Sequence, residues 1–432
     1  MALRPCARLL LAAAALLCGA SAAEAQLQVP VQFDFLNPSA RSLALGGAFV
    51  GLADDATAAL VNPAGLIELT RKEISIEGRI RHFTQPYLVG GRLSGAITGN
   101  GVDTVGGPEF GSLDTTDGSL NFISFVYPRG RFRLAAFRHE LIHVDQEYNA
   151  RGVIQNQGFD TRDAAFSAER RLSIDTYGVS AAVDAGRVRL GAGLLVQHFS
   201  LGFEFNRFVF SDLYSTPDPQ QRVFHFSQTG HDTAVGAVVG VLVPMSKAKI
   251  GVSYKRAPRF DFTSCSSTTI DPQHCVDAAF KVPDLFSAGF SFMLTPRFLV
   301  TTEYARAFHS QLRSDYIDVQ ASQGEAVARR DRFTIDDANE AHVGAEYLLP
   351  FKGRPAIRGG FWFDPDHSVH YAPTGANDLL DERLGITLST GRDLWHYTLG
   401  TMVAVHSRVD LSAAVDHSAR STVVSTSAII RF

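Results

Sequence analysis

The chain has 432 residues, of which 45% are hydrophobic and 19% charged, with a formal net charge of −4. That balance gives no support for nucleic-acid binding. Beyond the N-terminus, polar or charged residues interrupt every apolar run before the roughly 20 residues that a membrane-crossing helix needs, which leaves a β-barrel open because barrel strands alternate and look only weakly hydrophobic.

Residues 1–25 have the anatomy of a secretory signal. Arg4 and Arg8 give a positive start, Leu9 to Leu17 an apolar core, and Ala23-Glu24-Ala25 an A-x-A cleavage site, so the mature chain is expected to begin at Gln26. Cys18 follows Leu17, which is bulky for a lipoprotein signal, so no lipid anchor is expected. Cys6 and Cys18 leave with the signal. Cys265 and Cys275, ten residues apart in a polar stretch of an exported protein, are expected to form one loop disulfide.

Residues 26–70 are expected to form a small helical hatch. Within them, Ser39 to Leu66 reads SARSLALGGAFVGLADDATAALVNPAGL. Asp54 or Asp55 can cap a short helix over Ala56 to Val61, and Asn62 ends it because the residue before Pro63 avoids the α region. The small side chains of Ala44, Gly46, Gly47, Ala48 and Gly51 let such a segment lie close against a wall.

Residues 71–432 read as a β series. Arg71 to Phe83 alternates, with Ile74, Ile76, Gly78 and Ile80 on one face, as a strand between two environments requires. Leu120 to Pro128, Phe132 to Val144, Leu172 to Asp184, Val188 to Phe205, Val223 to Val243 and Ile250 to Phe262 follow. Phe280 to Leu294, Phe298 to Gln311, Phe333 to Leu349, Ala356 to Phe363, Tyr397 to Val405, Val409 to Asp416 and Thr422 to Phe432 complete about fourteen segments. Many match the 9–11 residues of a tilted barrel strand. Their connections alternate between tight turns, such as Arg129-Gly130-Arg131, and long polar loops, such as Thr84 to Ser119 and Ser264 to Asp277. That asymmetry belongs to an outer-membrane barrel. In the last segment Thr422, Val424, Thr426, Ala428, Ile430 and Phe432 share one face, and a terminal phenylalanine behind spaced apolar residues resembles the signal read by barrel-assembly machinery. The fold expected is an all-β transmembrane antiparallel barrel of about 14 strands with an N-terminal hatch, in the outer membrane of a Gram-negative-type bacterium.

The hatch stretch, with Asn62-Pro63-Ala64, resembles the N-terminal hatch of the FadL family of outer-membrane transporters for long-chain fatty acids and other hydrophobic compounds. Lys281 to Arg306, Glu340 to Pro350 and Ala356 to His367 resemble that family's hairpins, and the family has fourteen strands. The resemblance implies passive transport: a hydrophobic ligand is gathered at the extracellular loops, enters an apolar pocket, and leaves past the hatch or sideways through a break in the wall. It marks Asn62, Pro63 and Ala64 as gating candidates. For ligand capture the residues themselves offer the aromatic group Phe203, Phe205, Phe208, Phe210 and Tyr214, with Phe224 and Phe226. The more ordinary use of such residues is a girdle at the lipid interface. Related barrels with similar hatches serve secretion or surface assembly, which is the alternative role; a barrel enzyme is the third.

His139-Glu140-Leu141-Ile142-His143 is a literal H-E-x-x-H, which on a helix would hold zinc. It sits in the β series, however, and on a strand the two histidines lie about 13 Å apart, too far to share one ion. Asp54-Asp55 and Asp336-Asp337 read as caps and solvated loops, Gly191-Ala192-Gly193 as strand glycines, and no G-x-S-x-G occurs. No enzyme, metal or cofactor is expected; the expected partners are a hydrophobic small molecule, outer-membrane lipids and the assembly machinery.

Overall fold

The computed structural model describes residues 35–93, 106–156, 160–162, 165–208, 222–269, 274–312, 331–375 and 379–432. The signal segment, Phe210 and Tyr214 lie outside them. Among the described residues no helix is long and apolar enough to cross a membrane.

Fourteen antiparallel strands close into a barrel. They are β1 (Glu73–Gly91), β2 (Pro108–Arg129), β3 (Phe132–Ala150), β4 (Phe166–Asp184), β5 (Arg189–Phe208), β6 (Arg222–Pro244) and β7 (Ala248–Arg256). The second half comprises β8 (Leu285–Thr295), β9 (Phe298–Ala307), β10 (Ala338–Leu348), β11 (Ala356–Asp364), β12 (Leu394–His406), β13 (Val409–His417) and β14 (Ser421–Arg431). Each pairs with the next, and β14 closes the ring on β1 from Arg431 opposite Glu73 to Ser421 opposite Phe83. Closure removes the free sheet edges that hydrocarbon would not tolerate. Alternation along each strand turns Tyr177, Leu194, Trp395 and Tyr397 outward and exposed, an apolar band that only a membrane can cover.

The strands run further than the sequence pattern suggested. Most of Thr84 to Ser119, expected as loop, is the paired upper part of β1 and β2. The apolar alternation fades there because these residues stand above the hydrocarbon, while the backbone ladder continues.

The ladder is interrupted at two places. Strand β2 pairs with β3 only from Phe122 to Arg129, opposite His139 to Phe132. Two bulges end the pairing, at Asn121 in β2 and at Leu141 in β3, and a bulge bends its strand. Above them β3 leans onto β1 instead. Arg151 N donates to Val89 O at 2.7 Å, and Tyr87 Oη donates to Asn149 O at 2.9 Å. The upper part of β2 is left without a β3 partner.

The second interruption follows β7. Pro258 and Pro283 stand at the same height on neighbouring strands, joined by Val282 N donating to Pro258 O at 3.2 Å. Proline has no N–H for the ladder, so the expected continuous segments Ile250 to Phe262 and Phe280 to Leu294 each break there. Beyond the break, Arg259–Thr268 and His274–Lys281 form a hairpin whose base bends over the lumen. Its Phe260, Phe262 and Phe280 pack on Phe199 with ring centroids 5.0 to 5.2 Å apart.

Candidate functional site: a hatched lumen with a break in its wall

The hatch lies inside the barrel at the end that carries the short turns. It holds little regular structure: helix Ala40–Ala44, helix Ala58–Val61 and a 3-10 helix Pro63–Glu68. Much of its backbone therefore needs partners from elsewhere, and the wall supplies them by chemical type. Carboxylates take the amides: Glu303 accepts from Phe49 N and Val50 N at 2.8 Å, Glu77 from Ala40 N at 3.1 Å, and Glu73 from Ala56 N at 3.0 Å. Hydroxyls serve the carbonyls. Thr398 donates to Ala44 O, Thr301 to Ala48 O, Ser291 to Gly51 O, Ser253 to Val61 O and Ser180 to Ala59 O, all within 2.6–3.0 Å.

A girdle of glycines receives the same segment. On β5, β6, β7, β8, β10, β11 and β12, a Cβ added at Gly191, Gly240, Gly251, Gly289, Gly344, Gly360 or Gly400 would stand less than 3.0 Å from hatch atoms. The small residues of the hatch are thus matched by missing side chains in the wall. Gly191, expected as an ordinary strand glycine, is the seat of Pro63 and Ala64.

Of the two expected caps, only Asp55 meets a backbone N–H at the start of this segment. Thr57, not Asp54 or Asp55, stands at the helix start and makes no side-chain cap. Asp55 accepts from Thr57 N at 2.9 Å, and Asp54 pairs with Arg41 at 2.6 Å. Asn62 ends the helix as expected and also caps the next one through Ala64 N at 3.2 Å. Burial pushes the Asp55 carboxyl up. Burial opposes the Arg41 charge, but Asp54, Glu346 and Asp55 overcome it and hold that pKa above its ordinary value.

Directly above the hatch is a narrow cleft whose lining includes Phe35, Val50, Lys255, Glu303 and His342. A second cleft is lined by Arg81, Arg170, Arg420, Gln85, Gln146 and His396, with Asp364 as its acid. Apolar side chains fill the lumen beyond, among them Val144, Ile174, Phe199, Phe260, Phe280 and Phe333. Phe203, Phe205, Phe208, Phe224 and Phe226 are between 1% and 8% exposed, so they face inward and do not form the lipid girdle. Four of them pack with Tyr87, Tyr148 and Phe166 into a second apolar cluster.

At the wall break a cleft lined by Arg79, Asp117, Asn121, His139, Glu140 and Leu141 reaches toward this interior. The H-E-x-x-H lies at its edge. The bulge at Leu141 shifts the alternation, so His139 is buried inside while His143 is exposed outside, and the two cannot share an ion. Among the described residues no group of three potential ligands gathers. The sequence offered no signal for the break beyond this one-residue change of phase. Cys265 and Cys275 face each other across the bent hairpin in a disulfide, with Cα atoms 4.1 Å apart.

Fold and lumen together define a class: a plugged fourteen-stranded membrane barrel with an apolar interior. No protein-family model matches the sequence, and no curated protein matches it significantly. Among solved structures the fold is that of the FadL-type outer-membrane channels. A Pseudomonas aeruginosa FadL homologue is 12% identical, with a TM-score of 0.62 over 94% of this chain and 99% of its own. The Pseudomonas putida toluene transporter TodX is 13% identical, with a TM-score of 0.57 over 92% and 99%. The Ralstonia pickettii toluene transporter TbuX is 15% identical, with a TM-score of 0.55 over 92% and 98%.

Proposed function

We propose that this barrel passively carries hydrophobic small molecules across the outer membrane. The observation that carries the reading is the juxtaposition of an apolar lumen, a hatch bonded to the wall around the base, and a break between β2 and β3 beside the lumen. An apolar ligand gains little from a water-filled pore and much from such an interior. The wall break gives it an exit that leaves the hatch in place. Two structural relatives are toluene transporters by name, which supports an apolar cargo. The pocket of Arg81, Arg170 and Arg420 beside the apolar cluster favours cargo with an acidic end, such as a fatty acid, over a bare hydrocarbon. Asn62, Pro63 and Ala64 act in this reading as the fixed part of the gate.

The test is uptake by cells lacking the protein and by complemented cells, with a labelled long-chain fatty acid and labelled toluene in parallel. Complementation should restore uptake of at least one, and the fatty acid more strongly. Equal uptake of both compounds with and without the protein would leave secretion or surface assembly as the better reading.

A further inference from the structure

On the outer wall, near the short turns, the lipid-facing sides of β2 to β6 form an open apolar groove. Its banks are Tyr127, Leu134, Val179, Leu194 and Val239. Register places Leu134 opposite Ala181, Ala181 opposite Ala192 and Ala192 opposite Val239, so the floor is set back where alanines replace larger residues. Directly beneath, the turns between β2 and β3, β4 and β5, and β6 and β7 present Arg131, Arg187 and Lys247, all exposed.

These three charges lack a carboxylate partner among the described residues. Arg131 donates to the backbone oxygen of Asp184 at 2.8 Å, while the Asp184 carboxylate accepts from Gly186 N at 2.9 Å. The nearby Glu68 is taken by Arg189 and by Lys249. The other short turns carry the same sign, with Arg297, Lys352, Arg354 and Arg408 exposed. The foot of the groove is therefore a band of net positive charge at the level where a bilayer places its phosphates.

We infer that this groove binds an anionic phospholipid of the leaflet nearest the short turns, independently of what the lumen carries. One acyl chain lies along the alanine floor between Leu134 and Leu194, and the phosphate sits among Arg131, Arg187 and Lys247. The apolar lining accepts hydrocarbon and no headgroup, and the charge beneath selects the headgroup's sign. An acidic protein docked on the rim would need the charges but not the groove, which makes the two separable.

The full-length barrel, purified in a zwitterionic detergent, is offered equal amounts of phosphatidylglycerol and phosphatidylcholine with identical chains, and retained lipid is counted by native mass spectrometry. A preference for phosphatidylglycerol of at least about tenfold, and up to about a hundredfold, is expected from three cations near the surface. The combined variant Arg131→Gln, Arg187→Gln, Lys247→Gln should lose the preference. Ala192→Phe, which fills the groove from the lipid side, should lower retention of both lipids while the barrel keeps its heat-modifiable mobility in gels. Equal retention of the two lipids by the native chain would overturn the site. So would an unchanged preference in the charge variant, or native retention by Ala192→Phe, which would assign the charges to a protein partner.

Discussion

The amide of Asn62 occupies the place that a side chain on Gly240 would take: a Cβ at Gly240 would run into Asn62 Oδ1. From that seat Asn62 Nδ2 donates to Val50 O at 2.9 Å and to Val241 O at 3.2 Å, while Oδ1 accepts from Ala64 N. One side chain thus ties two stretches of the hatch to β6, and it fits only because β6 has no side chain there.

Gly240→Val should therefore push the hatch off its seat. Single-barrel conductance in a planar bilayer is expected to rise from near closed to a steady open level. Gly118→Ala is the control, since a Cβ there meets only Ile80 at an ordinary 3.6 Å. Asn62→Ala leaves buried carbonyls without their donor, a cost of about 1–3 kcal/mol, and should give intermittent openings. A closed Gly240→Val barrel would mean that the girdle does not hold the hatch.

The wall break gives a second prediction. Leu141 is the extra residue of β3, and the β3–β4 ladder runs from Glu140 opposite Asp175 directly to Ile142 opposite Ile174. Deleting Leu141 keeps every flanking residue on its present face and lets β3 run straight beside β2. Uptake of the cargo should fall at least several-fold while conductance stays closed. Unchanged uptake would send the cargo past the hatch instead.

Much of this fold was legible in the sequence, for reasons that also explain what was not. Alternation marks strands, so fourteen were visible. Alternation does not say which face is the lumen, and Phe203, Phe205, Phe224 and Phe226 read more readily as a girdle than as the interior they line. The hatch was legible because its small residues are contiguous. The glycines that receive it are spread one to a strand over 210 residues, from Gly191 to Gly400, and each alone is an ordinary strand glycine. The break between β2 and β3 rests on two one-residue bulges, and the one at Leu141 shifts the pattern by a single step within a motif that otherwise invites a metal reading.

The bent hairpin should depend on its disulfide. Cys265–Cys275 closes a short loop, for which constraint of the unfolded chain is worth roughly 2–4 kcal/mol. In the Cys265→Ser, Cys275→Ser double variant, Phe260, Phe262 and Phe280 should spend less time packed on Phe199. Proteolytic cleavage between the two strands of the hairpin is expected to speed up by an order of magnitude or more. The barrel itself should keep its melting temperature, because the ladders of β7 and β8 below Pro258 and Pro283 are untouched.

The chain entering the hatch should respond to pH. Phe35 packs against His309, with ring centroids 5.8 Å apart, and His309 stacks on His367 at 4.2 Å. His367 in turn faces Asp364 at 3.3 Å. Burial, and then the neighbouring His367, hold the His309 imidazole well below its ordinary value of 6.5. A base whose folded pKa is depressed gives full stability above its unfolded value and loses it as pH falls below that value. The contact should therefore be firm at pH 7.5 and loosen progressively below about pH 6.5. Fluorine NMR of a 4-fluorophenylalanine label at position 35, which keeps the ring that packs on His309, should report rising mobility over that range. His309→Phe keeps an aromatic ring without a proton to gain, so its label should stay immobile at pH 5. If the label loosens equally in both backgrounds, the response belongs to another group.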